Sequence, residues 1–403
     1  MIDFEIEPQI EEARRISREN AQKHFRPIAR YYDEHEHESP EELINTLWQD
    51  PSLGMSGAMG GGAGGIGPGM VLLAEEMTWG DAGLMLCSPG PGLGGAALMM
   101  AGTPEQLGRF MMSYGQGNPK WGCMAITEPG CGSDTSAITT TATRDGDQWI
   151  LNGEKIFASA GQRALDNEGG FVVVWASVDR SAGRAGIKSF VVQAGTPGIR
   201  VEKLEKKLGI RASDTASLIL EDCRIPFDNI LGNPEVIVDK AKGEGYKKVF
   251  ATFDLTRPFV AAMALGVGRA ALDLVKETFD KEGIKIRYGV PRNKLTSLER
   301  DYMEMEAGWK AAQMLTLRAA WMMGQMARND LQASMAKAKA GIAVTKVTQK
   351  AVELLGPLGY SRECLLEKWM RDSKINDIFE GTGQVNTLIV ARRILGFDRE
   401  QLK

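Results

Sequence analysis

The clearest candidate for chemistry is Glu380, which stands in the run I-F-E-G-T-G. The apolar pair Ile378 and Phe379 precedes this carboxylate, and Gly381 and Gly383 follow it closely. Glycines allow backbone and ligand to approach each other. Removal from water would raise the pKa of the carboxyl group, which suits a general base. The alternative interpretation is an ordinary acidic residue at a helix N-terminus, where the helix dipole favours it.

A second candidate is the turn-rich run T-E-P-G-C-G-S-D at residues 127–134. It follows an apolar stretch that is typical of a strand, and it combines hydroxyl groups with glycine backbone. Such a cluster of amides and hydroxyls can hydrogen-bond the polar edge of a bound ring, with no bulky side chain in the way. The alternative is a plain β-turn, because Pro, Gly, Ser and Asp all favour turns.

A third candidate is the pair Asp254 and Arg257 in the run D-L-T-R. Side chains three residues apart share one face of a helix. The pair could therefore act jointly in binding a ligand, and an ordinary ion pair is the alternative.

Composition excludes several other classes of function. The 403 residues include 48 basic and 52 acidic side chains without a basic block, which argues against nucleic acid as a partner. All three histidines precede residue 38, which removes His from any triad or zinc site in the rest of the chain. Any chemistry must come from carboxylates or a cofactor.

Cysteine usage and hydropathy indicate the cellular location that we expect for the protein. The five cysteines show no C-x-x-C spacing, so we expect neither a metal site nor a disulfide framework, and we expect a reducing, cytoplasmic location. The first residues lack a leader-like pattern, and no apolar run of 18 residues is evident, so we predict no membrane span.

The elements that must position these residues change in character along the chain. We predict an α+β protein with an N-terminal helical domain (1–120), a middle β-barrel or sandwich domain (121–240) and a C-terminal four-helix bundle (241–403). In the middle domain, Asp145-Gly146 and Asn152-Gly153 each predict a hairpin turn. Apolar residues at steps of three and four from Leu295 to Met326 predict a long bundle helix.

A glycine-rich run precedes the helix predicted at 70–77. Gly62, Gly64 and Gly67 match G-x-G-x-x-G, a dinucleotide-binding motif. No predicted strand precedes the match and no βαβ unit follows it, so we interpret the run as a loop.

Together, C-M-A-I-T-E-P-G-C-G-S-D-T-S (123–136) and the segment around Glu380 resemble the two signature segments of the acyl-CoA dehydrogenase family. The order and the separation match, and the resemblance extends from about residue 5 to residue 396. The family's architecture is the same succession of helices, β domain and four-helix bundle.

The resemblance implies an FAD cofactor and assigns residues to it. The implied FAD contacts, including an arginine expected to act across subunits, are Ile126, Thr127, Gly132, Ser133, Phe157, Ala158, Ser159, Arg287, Thr382 and Gln384. Phe157 stands where the family usually has Trp, which keeps an apolar face and loses the indole donor.

The resemblance also implies a substrate and a mechanism. The implied substrate-binding residues are Ser133, Asp254, Arg257, Gly381 and Arg392. Asp254 and Arg257 would hold the pantetheine and adenine end of the CoA. Glu380 would remove a proton from the carbon alpha to the thioester while a hydride passes from the beta carbon to FAD. Electrons would then pass to an electron-transfer flavoprotein, and the protein would be a homo-oligomer, a dimer or a tetramer.

Two family motifs are altered here. The family's R-x-x-F-G is replaced by K-I-R-Y-G-V-P-R-N at 285–293, and its Q-I-F-G-G-x-G by E-L-L-G-P-L-G at 353–359. Arg287, with Arg292 as a second choice, could still reach the FAD pyrophosphate of a neighbouring subunit. The alternative is that the loop only connects two helices.

The run from Gly94 to Ala97 lies where the family places the bottom of its acyl pocket. Its small residues predict a roomy pocket for long, branched or ring-bearing acyl groups, and close helix packing is the alternative. An acyl-CoA oxidase, a flavin monooxygenase and a non-catalytic subunit of a heteromeric dehydrogenase are the rival functions.

Overall fold

The computed structural model describes residues 6–50, 53, 67–112, 114, 116–238, 245–397 and 401, with only the backbone at 245–250. Most of the glycine-rich run, including Gly62 and Gly64, lies outside the described residues. The predicted fold class is confirmed. Helices precede residue 112, strands occupy the middle of the chain, and helices follow again from residue 245.

The N-terminal region consists of short helices around one long buried helix. The helices are α1 (Pro8–Asn20), α2 (Ala29–Glu34), α3 (Glu41–Gln49), α4 (Pro68–Gly80), α5 (Ala82–Met85), α6 (Gly92–Ala101) and α7 (Pro104–Met111). Helix α4 begins at Pro68, whose missing N–H costs nothing in the first turn. Because α4 is apolar almost all round, it is buried on nearly every side.

The middle region is one hydrogen-bonded sheet of seven strands within the described residues. The strands are β1 (Gly122–Ala125), β2 (Thr141–Asp145), β3 (Gln148–Ser159), β4 (Phe171–Ser177), β5 (Ile187–Gln193), β6 (Ile199–Leu204) and β7 (Thr215–Pro226), with the short helix α8 (Gly161–Asp166) after β3. Their order is β1-β4-β2-β3-β7-β6, and β5 pairs with β4.

One of the two predicted hairpins is wrong. Asp145-Gly146 does join β2 to β3, but β3 continues straight through Asn152-Gly153 and pairs with β7 on both sides of it. Gly153 forms a bulge at a φ of 153°, and a Cβ atom there would lie 2.5 Å from Oγ1 of Thr140. The glycine is therefore required by a close approach inside the sheet, and not by a turn.

The C-terminal region contains the predicted bundle. Its helices are α9 (Gly245–Lys281), α10 (Ser297–Gly324), α11 (Asp330–Leu355), α12 (Pro357–Tyr360), α13 (Leu366–Ser373) and α14 (Gly383–Leu395). The predicted apolar positions of α10 from Tyr302 to Met323 are buried. Met326 lies beyond the end of α10, and its side chain is 89% exposed.

Helix α9 contains a segment, Ala251–Lys281, that is long and apolar enough to cross a membrane by length and composition. Its apolar window is 78% buried inside the protein, mainly against α4, α10 and α11. The segment therefore has the burial of a core helix.

A buried charge cluster joins the three regions. Nζ of Lys368 on α13 donates to Asp372 Oδ2 at 2.5 Å and also to Asp81, which precedes α5. The other oxygen of Asp372 accepts from the backbone N–H of Ile210, in the loop between β6 and β7, at 2.6 Å. The three charged side chains are essentially inaccessible to water.

Helix α6 packs directly onto β1, and this contact removes the basis for a roomy pocket at Gly94. A Cβ atom on Gly94 would lie 2.6 Å from the carbonyl oxygen of Cys123. A Cβ atom on Gly95 would lie 2.5 Å from the side chain of Pro91. The missing side-chain volume is filled by backbone and a neighbouring ring, so the close-packing interpretation is correct at these two positions.

Candidate active site

Glu380 lies at the break between the 3-10 turn Lys374–Asp377 and helix α14. Its φ is 53°, and that of Gly381 is 89°. A left-handed backbone is uncommon for a residue with a side chain, and it persists where surrounding contacts hold it. Gly381 thus serves a tight reversal before α14, and Gly383 serves a close approach, because a Cβ atom on it would collide with the Asp377 side chain.

Glu380 is half-buried as a residue, and its carboxylate lies on the inner side with a specific partner. Oγ1 of Thr256, on α9, donates to Glu380 Oε2 at 2.7 Å. Burial raises the pKa of Glu380 to about 6, against the opposing effects of the Thr256 hydrogen bond and of the Arg257 and Lys337 charges. A carboxylate with that pKa is ionised at neutral pH and still basic enough to accept a proton.

Asp254 and Arg257 lie next to this carboxylate. Arg257 Nη1 donates to Asp254 Oδ1 at 2.7 Å, so the ordinary ion pair exists. Arg257 is only 2% exposed, and a Cβ atom placed on Gly381 would lie 3.7 Å from its Nη2. Arg257 is therefore buried beside the turn that carries Glu380, and the expected contact of this pair with CoA stays a prediction.

Two further residues of the site were missed in the sequence. Lys337, on α11, is 1% exposed and donates to the carbonyl oxygen of Gly381 at 2.7 Å. Asn386, on α14, is fully buried and donates to the same oxygen at 2.7 Å and to Thr382 O at 3.1 Å. Burial lowers the pKa of Lys337 to about 8. The sequence did contain a signal for Lys337, because a charged residue four positions before Gly341, on a helix face of small residues, is expected to be buried.

The loop at 127–134 is anchored from inside by Glu128. Lys155 Nζ donates to Glu128 Oε1 at 2.7 Å, and the backbone N–H and hydroxyl groups of Thr139 and Thr140 donate to the same carboxylate. Although burial opposes it, the Lys155 charge together with these hydrogen bonds lowers the pKa of Glu128 to about 2. The inner side of the loop is therefore fixed, while residues 132–134 are exposed.

The exposed edge of this loop adjoins an exposed aromatic ring. The N–H of Ile156 donates to Thr127 O at 2.9 Å, which joins the loop to β3. Phe157 follows at a β-bulge with a φ of 58°, and its side chain is 59% exposed. An apolar ring next to open backbone and hydroxyl groups fits a flavin, which has an apolar face and a polar edge.

The remaining residues assigned to FAD next to Phe157 differ in exposure. Ile126 and Ala158 are buried in the sheet, and Ser159 is half-buried. Gly132 has open space where a side chain would be, with only Thr127 Cγ2 at 3.8 Å. Backbone groups, more than side chains, are therefore what this surface presents to a ligand.

The N-terminus of α14 carries Thr382 and Gln384. Thr382 caps the helix by accepting the N–H of Val385 at 3.2 Å, and Gln384 is exposed in the first turn. Helix N-termini attract phosphate groups, so the position of Thr382 and Gln384 is compatible with the FAD contact expected for them. Arg392 is half-buried two turns further along the helix.

Arg287 is apart from these residues and is already paired. Its Nε and Nη2 donate to Glu299 Oε1 and Oε2 at 2.6 and 2.7 Å. Arg292 pairs with Glu304, and the Tyr288 hydroxyl donates to Glu306 at 2.7 Å. These contacts attach the loop to α10 of the same chain, which favours the connecting role. The cross-subunit role of Arg287 stays a prediction.

The chain matches three family profiles that together cover most of its length. They are the acyl-CoA dehydrogenase N-terminal domain at residues 7–118, middle domain at 123–223 and C-terminal domain at 243–395.

Curated relatives and solved structures agree with these matches. The mitochondrial short-chain specific acyl-CoA dehydrogenase of Bos taurus is 36% identical over 95% of this chain and 89% of its own. The short-chain specific enzyme of Clostridium acetobutylicum is 32% identical over 98% of this chain and all of its own.

Two solved structures have the same fold along the whole chain. Butyryl-CoA dehydrogenase from Megasphaera elsdenii aligns with a TM-score of 0.84 at 31% identity, covering 98% of this chain and 100% of that one. A chain from a structure described as the electron transferring flavoprotein of Acidaminococcus fermentans gives the same TM-score and coverage at 32% identity. The chain belongs to the acyl-CoA dehydrogenase family.

Proposed function

We propose that this protein is an FAD-dependent dehydrogenase that converts an acyl-CoA thioester into the trans-2-enoyl-CoA, with Glu380 as the base. The observation that carries the proposal is the Glu380 carboxylate itself. It is held by Thr256 at 2.7 Å in a left-handed turn, and its pKa is raised to about 6. A surface acid at a helix N-terminus would have neither the partner nor the shifted pKa.

The residues of the chain divide the work between them. Glu380 accepts the proton from the carbon alpha to the thioester, and its own backbone N–H helps to polarise the thioester carbonyl. Bound FAD supplies the two-electron oxidation. Arg257 and Gly381 border the reacting end of the substrate. Arg392, two turns along α14, binds the CoA portion. Ser133, on the exposed loop, contacts both cofactor and thioester in this scheme.

The cofactor-binding assignment rests on exposed surfaces. Phe157 offers its ring to the flavin, Thr127, Gly132 and Ser133 offer polar groups, and the N-terminus of α14 offers Thr382 and Gln384 to the phosphates. Ile126, Ala158 and Ser159 support this surface from the sheet.

A short acyl chain is the proposed substrate. The relatives from Bos taurus and Clostridium acetobutylicum are described as short-chain specific. The close contact of Gly94 with the Cys123 carbonyl, and of Gly95 with Pro91, also leaves no open space beside these two residues of α6. Butyryl-CoA is therefore the substrate to test first.

We also propose that electrons leave through an electron-transfer flavoprotein and that the protein is a cytoplasmic homo-oligomer. The homo-oligomer is proposed from the resemblance to the family, and the exposed apolar side chains Met314, Ile342 and Leu388, on three helices of the bundle, are candidates for its contacts. The five free thiols suit a reducing compartment. Light scattering after gel filtration measures the oligomer.

Anaerobic bleaching of the bound flavin tests the function. Acyl-CoAs of four, eight and sixteen carbons are added to the purified protein under nitrogen, and the enoyl-CoA product is measured. We expect the four-carbon substrate to bleach the flavin fastest and Glu380→Gln to abolish the response. Bleaching by no acyl-CoA would overturn the proposal, and rapid peroxide formation in air would favour an oxidase.

A further inference from the structure

The carbonyl oxygen of Gly381, next to the proposed base, accepts hydrogen bonds from two buried side chains. It accepts from Lys337 Nζ and from Asn386 Nδ2, both at 2.7 Å. The two donors come from different helices, α11 and α14, and both side chains are buried. A buried lysine that donates a hydrogen bond to a backbone carbonyl is costly, because burial penalises its charge.

These two hydrogen bonds stabilise a turn whose backbone conformation is unfavourable. Glu380 and Gly381 have φ values of 53° and 89°, and the left-handed region is unfavourable for a residue with a Cβ atom such as Glu. Such a conformation persists only where neighbouring groups determine it. Fixing the Gly381 carbonyl on one side and the Glu380 carboxylate on the other, through Thr256, determines the turn between them.

We infer that Lys337 and Asn386 are positioning residues for the proposed reaction: they hold the Gly381 carbonyl and so keep the Glu380 carboxylate aimed at the reacting carbon. The inference rests on the proposed function, because it takes Glu380 as the base. Neither residue touches the substrate in this scheme, and both act through the backbone of the turn.

Lys337 has a second effect through its charge. The groups that act on the Glu380 carboxylate are Thr256 and Arg257 from α9 and Lys337 from α11. Asp377, in the preceding turn, acts on Lys337, and Asp254 and Asp330 act on Arg257. Positive charge on Lys337 favours the ionised form of Glu380 and lowers its pKa. Removal of that charge therefore raises the pKa of Glu380.

Three variants separate the hydrogen bond from the charge. Lys337→Met removes both the donor and the charge, whereas Lys337→Gln removes the charge and keeps a donor. Lys339→Met is the matched control, because Lys339 is two residues away on the same helix and is exposed. Asn386→Leu removes the second donor without a change in charge. FAD content and melting temperature are measured for all four variants.

The expected results differ among the variants. Lys337→Met should lower kcat on butyryl-CoA by roughly 10- to 100-fold with little change in KM, since a displacement of about 1 Å can cost on the order of 10²-fold. Its acidic limb in the kcat profile should move to higher pH. Lys337→Gln should recover much of kcat and keep the shifted limb. Asn386→Leu should lower kcat and leave the limb in place.

Two outcomes would overturn the inference. One is a Lys337→Met protein with the kcat and pH profile of Lys339→Met. The other is a loss of folded protein in both Lys337 variants while the folded fraction keeps the wild-type profile, since that pattern belongs to a merely structural lysine.

A failure of the proposed function is distinguishable from a failure of this inference. If no acyl-CoA bleaches the wild-type flavin, the function fails. The Glu380 carboxyl group can still be titrated by ¹³C NMR in protein labelled at glutamate, with Glu380→Gln to assign the signal. A titration midpoint that Lys337→Met leaves unchanged would then overturn the inference on its own.

Discussion

The hydroxyl of Thr256 and the carboxylate of Glu380 are joined by a hydrogen bond of 2.7 Å, across 124 positions of sequence. The bond connects the long helix α9 to the turn before α14. It favours the ionised carboxylate and thereby lowers a pKa that burial has raised. The proposed base is therefore adjusted by two opposing effects, and each can be altered separately.

Substitution of Thr256 tests one of these effects. Thr256→Val removes the donor to the ionised form, so the pKa of Glu380 should rise from about 6. The acidic limb of the kcat/KM profile should move to higher pH, with activity near pH 6 falling more than activity at pH 8. Thr256→Ser keeps the hydroxyl and serves as the control. A profile for Thr256→Val that coincides with that of Thr256→Ser would contradict the assignment.

Substitution of Glu380 tests the base. Glu380→Gln keeps nearly the same volume and removes the proton acceptor, so turnover should fall by the ~10²–10⁴ typical of a lost general base. FAD content should be unchanged, because the Glu380 side chain is not among the groups assigned to FAD and Gln has nearly its volume. Flavin reduction by butyryl-CoA under nitrogen is the measurement. Near-normal turnover in this variant would move the base to another residue.

Substitution of Phe157 tests the aromatic surface for FAD. Because the side chain is 59% exposed, Phe157→Ala should change the melting temperature little. It should weaken FAD binding by roughly 2- to 10-fold if a ring contact of ordinary strength is lost. Phe157→Trp should retain FAD, and Met112→Ala, at another exposed apolar residue, should have no effect. Flavin content after gel filtration distinguishes the variants, and full retention in Phe157→Ala would remove Phe157 from the site.

Substitution of Gly94 tests close packing against an open pocket. An added methyl group would lie 2.6 Å from the Cys123 carbonyl, so Gly94→Ala should destabilise the protein by about 1–3 kcal/mol, as overpacking does. In Gly108→Ala, on the neighbouring α7, the nearest atom would be Met112 Sδ at 3.9 Å, and stability should be equal or higher. Thermal unfolding of both variants gives the answer. A stable Gly94→Ala protein with altered acyl-chain preference would restore the pocket interpretation.

Substitution of Arg287 tests the altered loop. Arg287→Ala leaves the buried Glu299 carboxylate without its cation, so the melting temperature should fall. If Arg287 also serves FAD across subunits, its loss should reduce flavin retention at high salt. Arg292→Ala, which breaks an exposed pair with Glu304, should do neither. A lowered melting temperature with full flavin content would leave the loop as a connector.

Long-period patterns in the sequence predicted the large elements well. The spacing of apolar residues from Tyr302 to Met323 identified the buried face of α10, because a helix of 28 residues repeats its pattern many times. A dipeptide carries far less information. Asn152-Gly153 has the composition of a hairpin turn, but Thr140 approaches the backbone there and requires the same glycine.

Site residues that act through contacts were harder to find than residues that stand in motifs. Glu380 was identifiable because the two glycines and the aromatic residue lie beside it in the sequence. Lys337 and Asn386 reach Gly381 from separate helices, and only the packing of the bundle brings their donors to one oxygen. The small residues from Gly94 misled for a related reason, because an absent side chain indicates equally a cavity or a close neighbour.

The charge cluster around Lys368 limits which segments of this protein can be exchanged with those of a relative. Its members come from the N-terminal helices, the sheet region and the bundle, and they hydrogen-bond one another inside the protein. A chimera that exchanged the N-terminal helices for a segment without an acid at position 81 would leave Lys368 short of a partner. Breaking a buried pair costs about 3–5 kcal/mol, a large part of the roughly 5–15 kcal/mol that stabilises an ordinary domain. A segment exchanged with a relative must therefore keep an acid opposite Lys368, or the residues at positions 81, 368 and 372 must be exchanged together.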